Sequence, residues 1–254
     1  MRFAFSVSVL FCSLSILCLV SCEPTYDKAT RHHSEHKHDY HDHDHDHDHS
    51  HAQNAGGQSI STTDSLEALQ PYIDIRDIWQ KPEVVLHQLG DLKGKVVADI
   101  GAGPYGYFSL RIASQTEAKK VIAIDIDQEA LAFIEEARQA FLPANVRDRL
   151  EARLVTSNNA KLNPGEVDVV LIVNTAIYFD SRIDYFKNLR TGLAPGGRLV
   201  IIDYKKKQTP IGPPVEKRIA LGLIEQELLE AGYRLLASDD KTLEFQYIVT
   251  AIKS

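Results

Sequence analysis

Residues 95–111, Lys-Val-Val-Ala-Asp-Ile-Gly-Ala-Gly-Pro-Tyr-Gly-Tyr-Phe-Ser-Leu-Arg, limit the folds open to this chain more than any other stretch. The apolar run Val96-Val97-Ala98, closed by Asp99-Ile100, reads as a strand buried on both faces, the habit of parallel sheets. Gly101, Gly103 and Gly106 follow, and Tyr107-Phe108-Ser109-Leu110 opens an amphipathic helix. Glycines at this spacing let the backbone turn sharply and approach a ligand, while the helix that follows offers its positive N-terminal end. A strand, a glycine turn and a helix in that order predict a nucleotide-like cofactor at the carboxyl edge of a parallel sheet. The remaining residues decide which cofactor.

The pattern repeats along the chain. Strands are expected at Val121–Asp125, Ala152–Thr156, Val167–Val173 and Arg198–Asp203, the last after the turn Pro195-Gly196-Gly197. Helices are expected between them at Asp127–Ala140 and Ile183–Leu193, with a last one at Val215–Ala231 ending at Gly232. Upstream, Ser65–Gln80 reads as a helix split at Pro71, and Glu83–Leu89 as a short helix begun by Pro82 and stopped by Gly90. Alternating strands and helices argue an α/β fold, a mostly parallel sheet with helices on both faces. Two closing strands, Tyr233–Ala237 and Leu243–Ala251, have only a turn at Asp239-Asp240 between them, so they pair antiparallel.

The N-terminal quarter is of another kind. Arg2 precedes an apolar run from Phe3 to Val20, and Leu19-Val20-Ser21-Cys22 closes it with small residues before a cysteine. This resembles the bacterial lipoprotein signal. The resemblance implies cleavage before Cys22, lipidation of Cys22, export, and anchoring on a bacterial membrane at its periplasmic or cell-surface side. All three cysteines (Cys12, Cys18, Cys22) lie in this segment, so the domain beyond it carries neither thiol nor disulfide. Residues 23–63 then lack apolar periodicity, a composition that predicts a disordered tether, and the folded domain is expected over 64–254. Ten of the eleven histidines fall between His32 and His51, with His41, His43, His45, His47 and His49 alternating with aspartates. Imidazole and carboxylate together suit zinc or another transition metal. Residues 58–254 carry a net charge of only about −3, so no basic surplus points to nucleic acid.

Gly101-x-Gly103-x-x-Gly106 fits a dinucleotide fingerprint, and Asp125 ends the next strand where a carboxylate can accept bonds from ribose hydroxyls. Asp125 can also serve as a helix cap, although Asp127 is better placed for that. Nicotinamide and adenosylmethionine enzymes share this arrangement. Asp99 beside the turn would repel a pyrophosphate and attract an ammonium. With the segment Leu193–Asp203 and the terminal hairpin, these residues resemble the class I S-adenosylmethionine-dependent methyltransferases. The likeness spans about Arg76–Val249 and includes Arg76-Asp77-x-Trp79-Gln80-x-Pro82, Gly212-Pro213-Pro214 and Phe245-Gln246-Tyr247.

The resemblance implies a Rossmann-like sheet of seven strands with the last antiparallel, and methyl transfer to a small molecule. Asp99 and the turn Gly101–Gly106 would hold the methionine part and Asp125 the ribose. Ile126 would pack on adenine, Asn158 or Asn159 would meet its amine, and Asn174 would lie near the methyl group, with Asn174 and Tyr178 as candidates for catalysis. The chain departs from such relatives after the fourth strand, where Asn174-Thr175-Ala176-Ile177-Tyr178 replaces an acid and paired histidines. Only His87 remains in the domain. Lys205-Lys206-Lys207 is either an anion-attracting site or a solvated loop. Two other readings stay open: a noncatalytic nucleoside- or metal-binding lipoprotein, and a nicotinamide-dependent oxidoreductase.

Overall fold

The computed structural model describes residues 73–254. The expected signal with Cys22, the expected tether and the histidines His41, His43, His45, His47 and His49 lie outside the described residues, as does the part of the first expected helix before residue 73. The strands are β1 (Val96–Ile100), β2 (Lys120–Asp125), β3 (Leu150–Leu154), β4 (Val167–Val173), β5 (Leu193–Tyr204), β6 (Tyr233–Asp239) and β7 (Gln246–Lys253). They form one sheet in the order β3-β2-β1-β4-β5-β7-β6. β1 to β5 pair parallel, and β7 runs antiparallel between β5 and β6. Six strands therefore share one direction and the seventh opposes them, as expected.

The helices are α1 (residues 73–80), α2 (Pro82–Gln88), α3 (Tyr107–Gln115), α4 (Gln128–Phe141), α5 (Ala144–Arg147), α6 (Arg182–Gly192) and α7 (Leu221–Glu230). Alternate residues of each strand feed opposite faces. On β4, Val170 and Ile172 join Phe186 and Leu189 of α6 and Ile224 and Leu228 of α7. Val169, Leu171 and Val173 join Val85, Ile112 and Ile134 from α2, α3 and α4, with Leu89 just after α2. Burial on both faces is why β4 reads as an unbroken apolar run. Each fully buried Ile or Leu contributes about 1.5–3 kcal/mol.

Four boundaries differ from expectation. β3 begins at Leu150, because Arg149 O already accepts from Val121 N at 2.7 Å. β5 begins at Leu193, since Pro195-Gly196-Gly197 is carried within the strand and Val167 pairs with Leu193. α7 starts at Leu221 rather than Val215: residues Val215–Lys217 make only a 3-10 turn, and Arg218 turns back into the preceding loop. The two closing strands are joined by residues 240–245 rather than by a tight hairpin. Asp239 organises that loop by accepting from Lys241 N at 2.7 Å and Thr242 N at 3.0 Å. No helix among the described residues is long and apolar enough to cross a membrane.

Candidate active site

A cavity of about 370 Å³ opens at the carboxyl ends of β1, β2, β4 and β5. Strand order divides its wall. Gly101, Gly103, Asp125, Ile126 and Ser157 come from β1, β2 and the end of β3; Asn174, Tyr178 and Tyr204 come from the ends of β4 and β5. α1 contributes Arg76 and Trp79 across the opening.

The glycine turn is shaped by its φ angles. Gly101 and Gly103 both stand at +70° and Gly106 at +52°. A Cβ on Gly101 would lie 2.4 Å from Thr175 Oγ1, so glycine there lets β1 and the end of β4 close together. A Cβ on Gly103 would meet nothing within 4 Å. Gly106 does not line the cavity; it precedes α3 and packs on Ile134.

Asp125 fastens the turn to β2. Its Oδ2 accepts from Gly103 N at 2.8 Å, and its Oδ1 accepts from Ile126 N at 2.7 Å and Asp127 N at 3.1 Å. Asp127 is the cap of α4, accepting from Glu129 N and Ala130 N, which leaves Asp125 to the cavity wall. Ile126 is 61 % exposed at the rim, unusual for an isoleucine. Asp99 is placed differently: it is buried behind the wall and accepts from Ser109 Oγ at 2.6 Å. Burial pushes its carboxyl up to about 6, against the opposing effects of Ser109 and the Arg76 charge.

Asn158 lies off the wall. Thr156 and Asn159 bridge in a tight turn, Asn158 Oδ1 accepts from Thr156 Oγ1 at 3.0 Å, and Asn159 Oδ1 accepts from Lys161 N at 2.7 Å. Ser157 takes the wall position instead. Asn174 does line the cavity, in the left-handed region at φ 57°, which asparagine tolerates better than most residues. Its Oδ1 accepts from Gln246 Nε2 at 2.5 Å, and Gln246 Oε1 accepts from Gln80 Nε2 at 2.7 Å. Gln80 and Gln246 are fully buried, so this chain of amides ties α1, β7 and the end of β4 together. Tyr178 is on the wall and 70 % exposed.

Sequence reasoning gave no role to Arg76, Gln80, Ser157, Tyr204 or Gln246. The signal for three of them was present in the motifs around Trp79 and in Phe245-Gln246-Tyr247. Arg76 stands 3.9 Å over the Tyr107 ring at the start of α3. Tyr204 lies 6.0 Å from Trp79 between ring centres. Two of the three lysines after β5 are committed to backbone carbonyls: Lys205 Nζ to Leu243 O at 2.7 Å, Lys206 Nζ to Arg218 O at 2.9 Å. His87 is exposed on α2 and does not line the cavity. Among the described residues no group of three side chains is arranged to hold a metal ion.

Residues 98–199 match the family described as a methyltransferase domain. No curated protein matches the chain in sequence. Among solved structures, a SAM-dependent methyltransferase from Aquifex aeolicus is similar with a TM-score of 0.64 at 23 % identity, over 76 % of this chain and 99 % of that one. Geranyl diphosphate C-methyltransferase from Streptomyces coelicolor A3(2) is similar with a TM-score of 0.56 at 15 % identity, over 69 % and 77 %. The [4+2]-cyclase SpnF is similar with a TM-score of 0.57 at 17 % identity, over 68 % and 80 %. The sheet order and the likeness together establish the Rossmann-like class I methyltransferase fold, and at these identities they carry the fold alone.

Proposed function

We propose that the chain binds S-adenosylmethionine and transfers its methyl group to a small-molecule acceptor. The observation that supports this best is the clasp between Asp125 and Gly103, which sets a carboxylate and an open glycine turn side by side on one cavity wall. The donor set fits the cofactor. Asp125 retains acceptor capacity beyond its three backbone bonds and would take the ribose hydroxyls. Ile126 would cover one adenine face, Ser157 would meet the adenine edge, and Gly101–Gly103 would face the methionine part. Arg76 would pair with a carboxylate, and Asp99, one layer behind, would add negative charge beneath an ammonium.

The cofactor supplies an activated methyl group on a sulfonium. The chain has to hold the acceptor atom in line about 3 Å from that methyl and exclude water. Asn174, Trp79, Tyr178 and Tyr204 stand where the acceptor would lie. A dinucleotide suits this site less well, because Asp99 and Asp125 both crowd negative charge near the turn that would carry its pyrophosphate.

Outside the described residues, the lipidated Cys22 and export to a bacterial membrane are part of the same proposal. So is a transition metal held by His41–His49, supported by the concentration of ten histidines in twenty positions. Calorimetric titration with adenosylmethionine and adenosylhomocysteine tests the central claim. Micromolar binding, about −8 kcal/mol, lost in Asp125→Ala, is expected. No binding at millimolar ligand would leave a tethered lipoprotein on a fold used for something other than methyl transfer.

A further inference from the structure

The half of the cavity over β4 and β5 differs in chemistry from the half over β1–β3. Its described wall is mostly aromatic, with Trp79, Tyr178, Phe179, Tyr185 and Tyr204 beside Val173, Thr175 and one amide, Asn174. Trp79 and Tyr204 are inclined at 34°, and the loop after β5 is pressed onto Tyr204 closely enough that a Cβ on Gly212 would lie 2.6 Å from its ring. Tyr178, 70 % exposed, presents an aromatic face at the rim. The ring set is fixed on one side and open on the other, which suits a flat guest.

The carboxylate and the guanidinium of the wall are placed toward the glycine turn instead. Among the described residues lining the cavity the ionisable groups are Arg76, Asp125, Tyr178, Tyr185 and Tyr204. Asp125 belongs to the β2 side and accepts three backbone N–H groups. Arg76 is stacked over Tyr107 beside the glycine turn and carries a proton permanently. Burial pushes Tyr185 up to about 12. The amide of Asn174 is a poor proton acceptor and its carbonyl oxygen is engaged by Gln246, while the Thr175 hydroxyl donates to Val173 O.

Two physical consequences follow. With no carboxylate or imidazole among the described residues at this end, a nucleophile should arrive with its proton already gone. At neutral pH that holds fully for a carboxylate, for a few per cent of a cysteine-like thiol and for far less of a phenol or an alkyl ammonium, and of these sulfur is intrinsically the strongest nucleophile toward carbon. An anion meeting a sulfonium also loses charge on the way to the transition state, and an apolar aromatic wall favours that over a path that keeps a cation.

We infer that the methyl acceptor is a flat aromatic thiol, methylated as its thiolate. This rests on the adenosylmethionine reading above. The thiol releases its proton to solvent before entering. Its sulfur then forms a bond to the methyl carbon as the methyl–sulfonium bond breaks, and that electron pair stays on the cofactor sulfur. A neutral thioether and adenosylhomocysteine leave.

The test uses the full chain in detergent, with a chelator present to empty the histidine tract. Adenosylhomocysteine binding is measured first. Methyl transfer is then followed with thiophenol, 4-nitrothiophenol and benzyl mercaptan across pH, beside phenol and aniline. The thiols should be preferred at least 100-fold, and the pH inflection in kcat/KM should move with each thiol's own ionisation. Trp79 is the single tryptophan, so binding has an independent readout without turnover: its fluorescence should be quenched saturably by thiophenol, at least tenfold more tightly than by cyclohexanethiol. An inflection that stays fixed across the thiols overturns the inference, because a protein base is then removing the proton. Turnover of phenol or aniline at the thiol rate overturns it too, and so does cofactor binding without thiol methylation; both leave the proposed function standing. Absence of cofactor binding sinks both.

Discussion

Gly101 and Gly103 have the same φ of +70° but stand in different surroundings. At Gly101 an added Cβ collides with Thr175, whose hydroxyl donates to Val173 O at 2.9 Å, while at Gly103 it points into open space. Gly103→Ala should therefore cost about 1–2 kcal/mol, the left-handed penalty alone. Gly101→Ala should cost about 3 kcal/mol or more, since overpacking is added. Thermal unfolding of both variants checks the order, and equal losses would refute the packing account. Asp99 gives a second prediction at this scale. Its carboxyl is raised from 3.8 to about 6 by burial, so the folded state holds the proton more tightly than the unfolded one. Stability from this group is present below pH 4 and is lost as pH rises through about 6, by up to about 3 kcal/mol. Asp203, also pushed up to about 6 by burial, acts in the same direction. Asp99→Asn keeps a neutral acceptor for Ser109, so the variant should gain on the wild type in Tm between pH 4 and 7. A difference that does not change with pH would show that the buried carboxyl carries no such penalty.

The loop between β5 and α7 shows how one residue holds an element. Arg218, 3 % exposed, donates to Pro213 O at 2.7 Å, Lys205 O at 3.1 Å, Lys207 O at 2.7 Å, Ile211 O at 3.1 Å and Thr209 Oγ1 at 2.7 Å. It also lies 5.2 Å from the Tyr204 ring. A lysine has the charge without the planar fork, so Arg218→Lys should free the loop nearly as much as Arg218→Ala. Both should raise tryptic cleavage at Lys205–Lys207 at least tenfold; full protection in the lysine variant would mean that charge alone holds the loop. This loop also explains where sequence reading stopped. β4 was legible to the residue because a strand buried on both faces must be apolar throughout. The start of α7 was not, because Val215 continues an apolar pattern while Arg218, six residues from the turn at Gly212, satisfies loop carbonyls instead of a helix. The resemblance points to Asn158 or Asn159 by their place after the third strand, and place in sequence does not show the turn that Thr156 and Asn159 close. The Gln80–Gln246 bond spans 166 positions, so both residues stood in recognisable motifs with no visible reason for being there.

On the scale of the whole molecule, the proposed use of adenosylmethionine, which is made in the cytosol, meets the proposed export of the domain across a membrane. The two ends of the chain make separate demands. Residues 76–249 carry the fold resemblance, and Cys22 carries the proposed anchor, with residues 23–63 lying between the anchor and the domain in sequence. Processing decides which demand the cell honours. If Cys22 is used as proposed, the intact mass of the protein from membranes should lack residues 1–21 and carry a diacylglyceryl group on Cys22. Cys22→Ser should then retain residues 1–21. A native mass that includes Met1–Ser21 with an unmodified Cys22 would overturn the anchor and return the domain to the side where its cofactor is made. Processed protein that copurifies with adenosylmethionine or adenosylhomocysteine would require the opposite, a supply of cofactor that reaches the far side or is loaded before export.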